Sequence, residues 1–265
     1  MTWRDEVHRQ TDAIRASGRW RAPRDLDGHG PVHTLPDGSE VISFASNDYL
    51  GLTQHPAVVA AAHDALDRWG AGAGSARLIV GSRPVHSELE AELAAWKGAE
   101  RAVLFPTGFA ANLGVLTAFA GRTTLVCSDA LNHASIIDGC RLSRADLEVY
   151  PHNDLDQLAK VLDERCDQDA IVASDTVFSM DGDTADVDAL TKLCDDAGAL
   201  LVLDEAHAVL GPYPSFAPDA DVLRVGTLSK TLGALGGFVA GPAPFIELIE
   251  NRARPYIFTT ASTPA

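Results

Sequence analysis

A lysine becomes a covalent nucleophile when desolvation lowers its pKa and frees the amine, and the surroundings of Lys230 suit that chemistry. It lies in Gly226-Thr227-Leu228-Ser229-Lys230-Thr231-Leu232-Gly233, directly after the apolar run Val222 to Val225. Small neighbours leave the amine open to a carbonyl ligand, and Thr227 and Ser229 could offer hydroxyls to a phosphate. The stretch is no Walker A loop, because Ser229 stands where the glycine before the lysine is required. A surface lysine in a glycine-rich loop would have the same local sequence.

Other polar groups follow apolar runs in the same way. Asp204-Glu205-Ala206-His207 comes after Leu200 to Leu203. An acid at the end of a buried strand either caps the next loop or faces a cation, for which a protonated pyridine nitrogen would serve. Pro106-Thr107-Gly108-Phe109-Ala110-Ala111-Asn112 reads as a turn opening a helix, whose free amides suit a phosphate. It equally suits an ordinary strand-to-helix turn. In Ser128 to Ser135, His133 could stack on a planar ligand or simply begin a helix. Ser179-Met180-Asp181-Gly182-Asp183 has acidic spacing like a calcium loop, but the remaining ligands and the closing glutamate are missing. Gly70-Ala71-Gly72-Ala73-Gly74 follows a helix rather than a strand, so it is no dinucleotide loop. Flexible backbone near a ligand is the better reading there.

The elements that must position these groups alternate along the chain. An amphipathic helix is expected in the first ~20 residues. A hairpin follows, from Val32 to Leu35 and from Val41 to Phe44 around Pro36-Asp37-Gly38. Helices are expected from Pro56 to Trp69 and from Pro84 to Lys97, ending at Gly98. Strand-like runs lie at Ala102–Phe105, Thr124–Cys127, Leu147–Tyr150, Ala170–Ala173, Ala199–Leu203 and Val222–Val225. Several are apolar on both faces, as in a parallel sheet covered by helices on each side. The rhythm is that of a doubly wound α/β fold, where ligands bind beyond the carboxyl ends of the strands.

The net charge of −16 argues against nucleic-acid binding, and no apolar stretch is long enough for a membrane span. Cys127, Cys140, Cys166 and Cys194 form no paired motif, so no metal site is expected, and an isolated cysteine inside an apolar run, such as Cys127, reads as core filler. Without a signal-peptide pattern, a soluble cytoplasmic protein is expected.

Singly these signals are weak, but their order is specific. Ser46-Asn47-Asp48-Tyr49-Leu50-Gly51-Leu52 is followed by Arg77-Leu78-Ile79, by His86 with Leu89-Glu90, and by Thr107 to Asn112. Asn132-His133-Ala134-Ser135, His152-Asn153-Asp154, Val177 to Asp183, Asp204 to His207 and Thr227 to Lys230 complete the series. In this order, across essentially the whole chain, the sequence resembles the α-oxoamine synthases, a family of pyridoxal-phosphate enzymes. The resemblance implies an α/β fold-type I large domain with a mostly parallel sheet sandwiched by helices. It also implies a homodimer with shared active sites. Lys230 resembles the lysine that condenses with pyridoxal 5'-phosphate. Gly108, Phe109 and Thr227 resemble its phosphate ligands, and Asp204 the partner of its ring nitrogen. His207 and Ser179 correspond to groups bonding the ring oxygen, and His133 to the one stacked on the ring. Lys230, His133, Asp204 and His207 form the implied catalytic set; Arg21, Asn47 and His133 are implied on the substrate side.

The sequence is most similar to members that condense L-alanine with pimeloyl-CoA or a pimeloyl carrier protein in biotin synthesis, an acyltransferase reaction. Relatives using glycine or serine, a non-catalytic remnant of the fold, and an ordinary nucleotide-binding α/β protein are the competing readings. Residues 1–40 are expected to form an N-terminal segment, 41–245 the cofactor domain, and 246–265 the start of a connection to a C-terminal domain. Family members are longer, and an arginine that binds carboxylate in that further domain has no counterpart here. Weak or no turnover by this polypeptide alone is therefore expected.

Overall fold

The computed structural model describes residues 1–165, 168–208, 216 and 221–265. Its contacts divide the chain into Met1–Ser46 and Asn47–Ala265. The first unit opens with the expected amphipathic helix, α1 (Trp3–Ala16). Thr2 caps it: its hydroxyl accepts the Asp5 amide, while the Asp5 carboxylate accepts the Thr2 amide at 2.8 Å. The hairpin follows as β1 (Val32–Thr34) and β2 (Glu40–Ile42), paired antiparallel. Gly38 in its turn has φ of +85°, a region that favours glycine.

In the second unit, α2 (Pro56–Trp69) and α3 (Pro84–Lys97) start on proline and stop at Gly70 and Gly98. A single π-turn, Arg77–Gly81, lies between them. The sheet comprises β3 (Arg101–Phe105), β4 (Thr124–Asp129), β5 (Asp146–Tyr150), β6 (Asp169–Asp175), β7 (Leu200–Asp204), β8 (Val222–Thr227) and β9 (Gly237–Gly241). Their spatial order is β3-β9-β8-β7-β6-β4-β5. β5, β4, β6, β7 and β8 run parallel, as the apolar runs predict. β9 runs antiparallel to both β3 and β8, and sequence reading did not identify it. Its ends are glycines and its length is five residues, so it offers little alternating pattern.

Between the strands lie α4 (Gly108–Phe119), α5 (Ala134–Ser143), α6 (Leu155–Glu164) and α7 (Val187–Ala197), followed by α8 (Ala243–Arg252) and α9 (Arg254–Ile257). Side chains alternate across the sheet with period two. Val126, Ile171, Ala173, Val202 and Val225 pack in one core with α4, α5, α8 and α9. Leu125, Cys127, Val172, Leu201 and Leu203 pack in the other, against α6 and α7. Cys127, Cys140 and Cys194 are buried, and desolvation pushes their thiols up to about 12, 11 and 12. These three are core residues, as expected; Cys166 lies outside the described residues. Among the described residues no helix is long and apolar enough to cross a membrane.

The same parity decides where the strand ends point. Asp175 and Asp204 continue the α4–α5 face, and Asp129 continues the α6–α7 face. Asp175 and Asp204 are also register partners in neighbouring parallel strands. Two buried carboxylates therefore end side by side on one face of the sheet.

Candidate active site

Above those two acids is a cavity of about 230 Å³. Gly108, Phe109, His133, Ser179, Asp204, His207, Thr227 and Lys230 all line it. It is assembled from the N-termini of α4 and α5, the ends of β6, β7 and β8, and the turns after β6 and β8. Asn47 and Arg21 are not among its lining residues. Arg21 is exposed in the N-terminal unit, whereas Asn47 belongs to the same unit as the cavity. The Gly70–Gly74 run does not line it either.

At one end, Thr107 caps α4 by accepting the Ala110 amide at 3.0 Å. The amides of Gly108 and Phe109, the first two of the helix, have no intrahelical acceptor to reach. Thr227 packs beneath this turn, and a Cβ on Gly108 would lie 3.4 Å from the Thr227 Cβ. The Thr227 hydroxyl donates to Gly236 O at 2.9 Å and lies 2.7 Å from Ser229 Oγ. Together the two free amides and the helix dipole make a seat suited to an anion, with Thr227 beneath it.

At the other end, Asp204 is held in place on both oxygens. Oδ1 accepts the Ala206 amide at 2.8 Å, and Oδ2 accepts Asn112 Nδ2 at 2.6 Å. Asn112 also donates to Ser135 Oγ, which lies 2.7 Å from His133 Nδ1. Asp175 accepts the His133 amide at 2.7 Å. Burial, then the neighbouring Asp204 charge, push the Asp175 carboxyl up to about 7, although the His133 amide opposes this. The floor of the cavity thus concentrates negative charge that a cation would relieve.

Lys230 Nζ lies 2.7 Å from His207 Nε2. Desolvation holds the lysine below its ordinary value, partly offset by Asp204 and Asp175. His207 is likewise lowered, first by burial and then by Lys230. Both shifts favour a neutral amine beside a neutral imidazole. Sequence reading assigned no role to Asp175, Asn112, Ser135 or Tyr49. Asn112 carried a readable signal, a lone amide in the otherwise apolar run of α4. Asp175 carried another, an acid closing a strand buried on both faces.

Ser179 lies in the turn from Phe178 to Asp183, closed by bonds from Phe178 N to Asp183 O and from Gly182 N to Phe178 O. His152 grips this turn: its Nε2 is 2.5 Å from Asp183 and its Nδ1 is 2.9 Å from Asp129. Its ring meets Phe178 edge-on at 4.4 Å. Burial lowers the imidazole, but the hydrogen bonds it donates to Asp183 and Asp129 outweigh this and hold His152 above its ordinary value. The resulting stabilisation is complete below an unfolded pKa of about 6.5 and is lost as pH rises through the higher folded value. Thermal unfolding should show a fall in Tm across the neutral range that His152→Gln flattens. Equal slopes for the two proteins would remove this charge from the account.

A family model for aminotransferase class I and II matches residues 39–265. The chain is 48% identical to the 8-amino-7-oxononanoate synthase of Paraburkholderia xenovorans (strain LB400), covering 95% of this chain and 67% of that protein. It is 47% identical to the enzyme of that name from Anaeromyxobacter sp. (strain K), covering 98% and 67%. The serine palmitoyltransferase from S. paucimobilis, solved with a bound PLP–myriocin aldimine, superposes with a TM-score of 0.88. It is 30% identical, covering 98% of this chain and 70% of that one. The chain spans about two thirds of the length of these relatives.

Proposed function

The chain belongs to the aminotransferase class I and II family, and from that premise we propose that it uses pyridoxal 5'-phosphate to join L-alanine to a pimeloyl thioester. Carbon dioxide and the thiol leave, and the product is 8-amino-7-oxononanoate, for biotin synthesis. The observation that carries this reading is the single cavity that places Lys230 together with Asp204, His133, His207 and the amides of Gly108 and Phe109.

The residues present fit the cofactor at three points. The α4 turn suits its phosphate, the lowered Lys230 amine suits its aldehyde, and the paired Asp204 and Asp175 suit a protonated ring nitrogen. When bound, the cofactor supplies an electron-withdrawing ring conjugated to the substrate's amino nitrogen.

The protein supplies the rest. Asp204, oriented by Asn112 and Ala206, keeps the ring nitrogen protonated. His207 and Ser179 would hold the ring oxygen, and His133, braced by Asp175 and Ser135, would cover the ring face. Thr227, beneath the turn, would join Gly108 and Phe109 in holding the phosphate. Lys230 would hold the cofactor's aldehyde carbon, and its neutral amine would serve as general base for the α-proton. Asn47 and Arg21 stand on the substrate side.

A cytoplasmic homodimer with shared sites belongs to the same proposal. Its support is the exposed apolar run Leu78, Ile79 and Val80, surface that a second copy would cover.

Mass spectrometry of products from alanine, glycine or serine with pimeloyl-CoA tests the substrate assignment. Alanine should give 8-amino-7-oxononanoate; preferred use of glycine or serine would overturn it. The phosphate seat has its own test. A Cβ on Gly237 would lie 2.5 Å from the Gly108 amide nitrogen and from Thr107 backbone atoms. Gly237→Ala should therefore displace the turn and weaken pyridoxal-phosphate binding about tenfold or more, measured by equilibrium dialysis. Unchanged affinity would remove the α4 turn from the phosphate site.

A further inference from the structure

The amine at Lys230 ends a chain of hydrogen bonds that begins in the segment Ser46 to Leu52. Tyr49 Oη donates to Asn47 Oδ1 at 3.2 Å and lies 2.8 Å from His207 Nδ1. His207 Nε2 in turn faces Lys230 Nζ at 2.7 Å. A phenol has one proton. With the Tyr49 proton on Asn47 Oδ1, the phenol oxygen accepts from His207, which puts the imidazole hydrogen on Nδ1. Nε2 is then left with its lone pair towards Lys230. The three contacts are mutually consistent with one direction of donation from Lys230 to Asn47.

We propose that Tyr49 is a positioning residue that fixes the tautomer of His207, so that Nε2 accepts from Lys230 and directs the amine's own lone pair into the cavity. A proton leaving the Lys230 ammonium can pass through the bare Nε2 to solvent, leaving the neutral amine and neutral imidazole that both shifts favour. The groups facing His207 in this arrangement are Tyr49, Lys230 and, through space, Asp204 and His133. Asn47 sets the direction of the chain by taking the phenol proton. Its influence on the amine therefore runs through Tyr49, separately from any contact it makes with substrate.

The inference rests on Lys230 being the reacting amine, but its first test does not. Nitrogen-15 NMR of histidine-labelled protein without cofactor reads the tautomer directly, with the His207 signal assigned by its loss in His207→Gln. The wild type should show Nδ1 protonated and Nε2 bare. Asn47→Leu should release the phenol proton to Nδ1 and shift the signal to the opposite tautomer, while Tyr49→Phe should give a mixture. A wild-type ring protonated on Nε2, or variants indistinguishable from wild type, would overturn the proposal. The second readout is the rate of pyridoxal-phosphate capture against pH. Tyr49→Phe should capture about fivefold more slowly near neutrality, the worth of one hydrogen bond, and converge with wild type at high pH where the amine is neutral unaided. Parallel profiles at every pH would mean a structural role only and would overturn it. Failure of every variant and of the wild type to capture cofactor would instead sink the proposed function and leave the tautomer result standing.

Discussion

Lys230→Ala is expected to lose all covalent retention of pyridoxal phosphate and to lower whatever turnover the wild-type chain shows by about 10³-fold, within the range for removing a general acid–base group. The expectation rests on elimination as well as proximity. The chain has four lysines, Lys97, Lys160, Lys192 and Lys230. Lys160 and Lys192 lie exposed on α6 and α7, away from the cavity lining. Lys97 is fully buried, and its amine is held by Glu205 at 2.7 Å. Only Lys230 combines access to the cavity with an amine pKa lowered by desolvation, so that more of it is nucleophilic than in an exposed lysine. Borohydride reduction followed by peptide mapping should place the cofactor on the peptide containing residue 230 in the wild type and on none in the variant. A reduced adduct on another lysine, or turnover within tenfold of wild type, would show that the cavity has been misread. Non-covalent cofactor should still bind the variant, because the α4 turn and Asp204 remain.

What could be read before the structure, and what could not, divides along a physical line. Strands β4, β6, β7 and β8 were legible because burial on both faces leaves an apolar run that stops where the chain reaches the site. Polar residues after such runs, Asp204 and Lys230 among them, stand out by contrast. β9 was not legible: five residues bounded by glycines give no alternation, and its antiparallel place between β3 and β8 comes from pairing partners far away in sequence. The eight expected cofactor residues meet in one cavity, yet their supports were missed. Asn112, Ser135 and Asp175 act on the site through Asp204 and His133, and nothing in local spacing says which side chains meet across the sheet. Tyr49 lies 158 residues from His207 in the chain and close to it in space for the same reason. Periodicity reveals which face a residue occupies, but not what stands opposite.

Glu205→Ala is the second large effect, and it falls on stability: about 3–5 kcal/mol, a sizeable part of the 5–15 typical of a folded domain. Glu205 is adjacent to Asp204 in sequence but serves the core instead of the cavity. Its Oε2 accepts Lys97 Nζ and its Oε1 accepts Arg224 Nε, both at 2.7 Å, and Arg224 Nη1 donates to Lys97 O at the same distance. The side chains of Lys97, Glu205 and Arg224 are 0%, 2% and 8% exposed, so water screens none of them. Desolvation already holds Lys97 below its ordinary value despite the pull of Glu205, which shows how costly the charge is there. Removing the acid takes their shared carboxylate from two cations buried at the junction of α3, β7 and β8. Removing Lys97 instead leaves Arg224 and Glu205 balanced. Urea unfolding should therefore rank Glu205→Ala well below Lys97→Met, and adding Lys97→Met to Glu205→Ala should recover part of the loss by taking away one of the two buried cations. The opposite ranking would mean that Glu205 is compensated elsewhere in the fold. Because Asp204 and Glu205 share one strand end, loosening this core network should also weaken cofactor binding in Glu205→Ala. Lys97→Met, which leaves the strand end charge-balanced, should affect it far less.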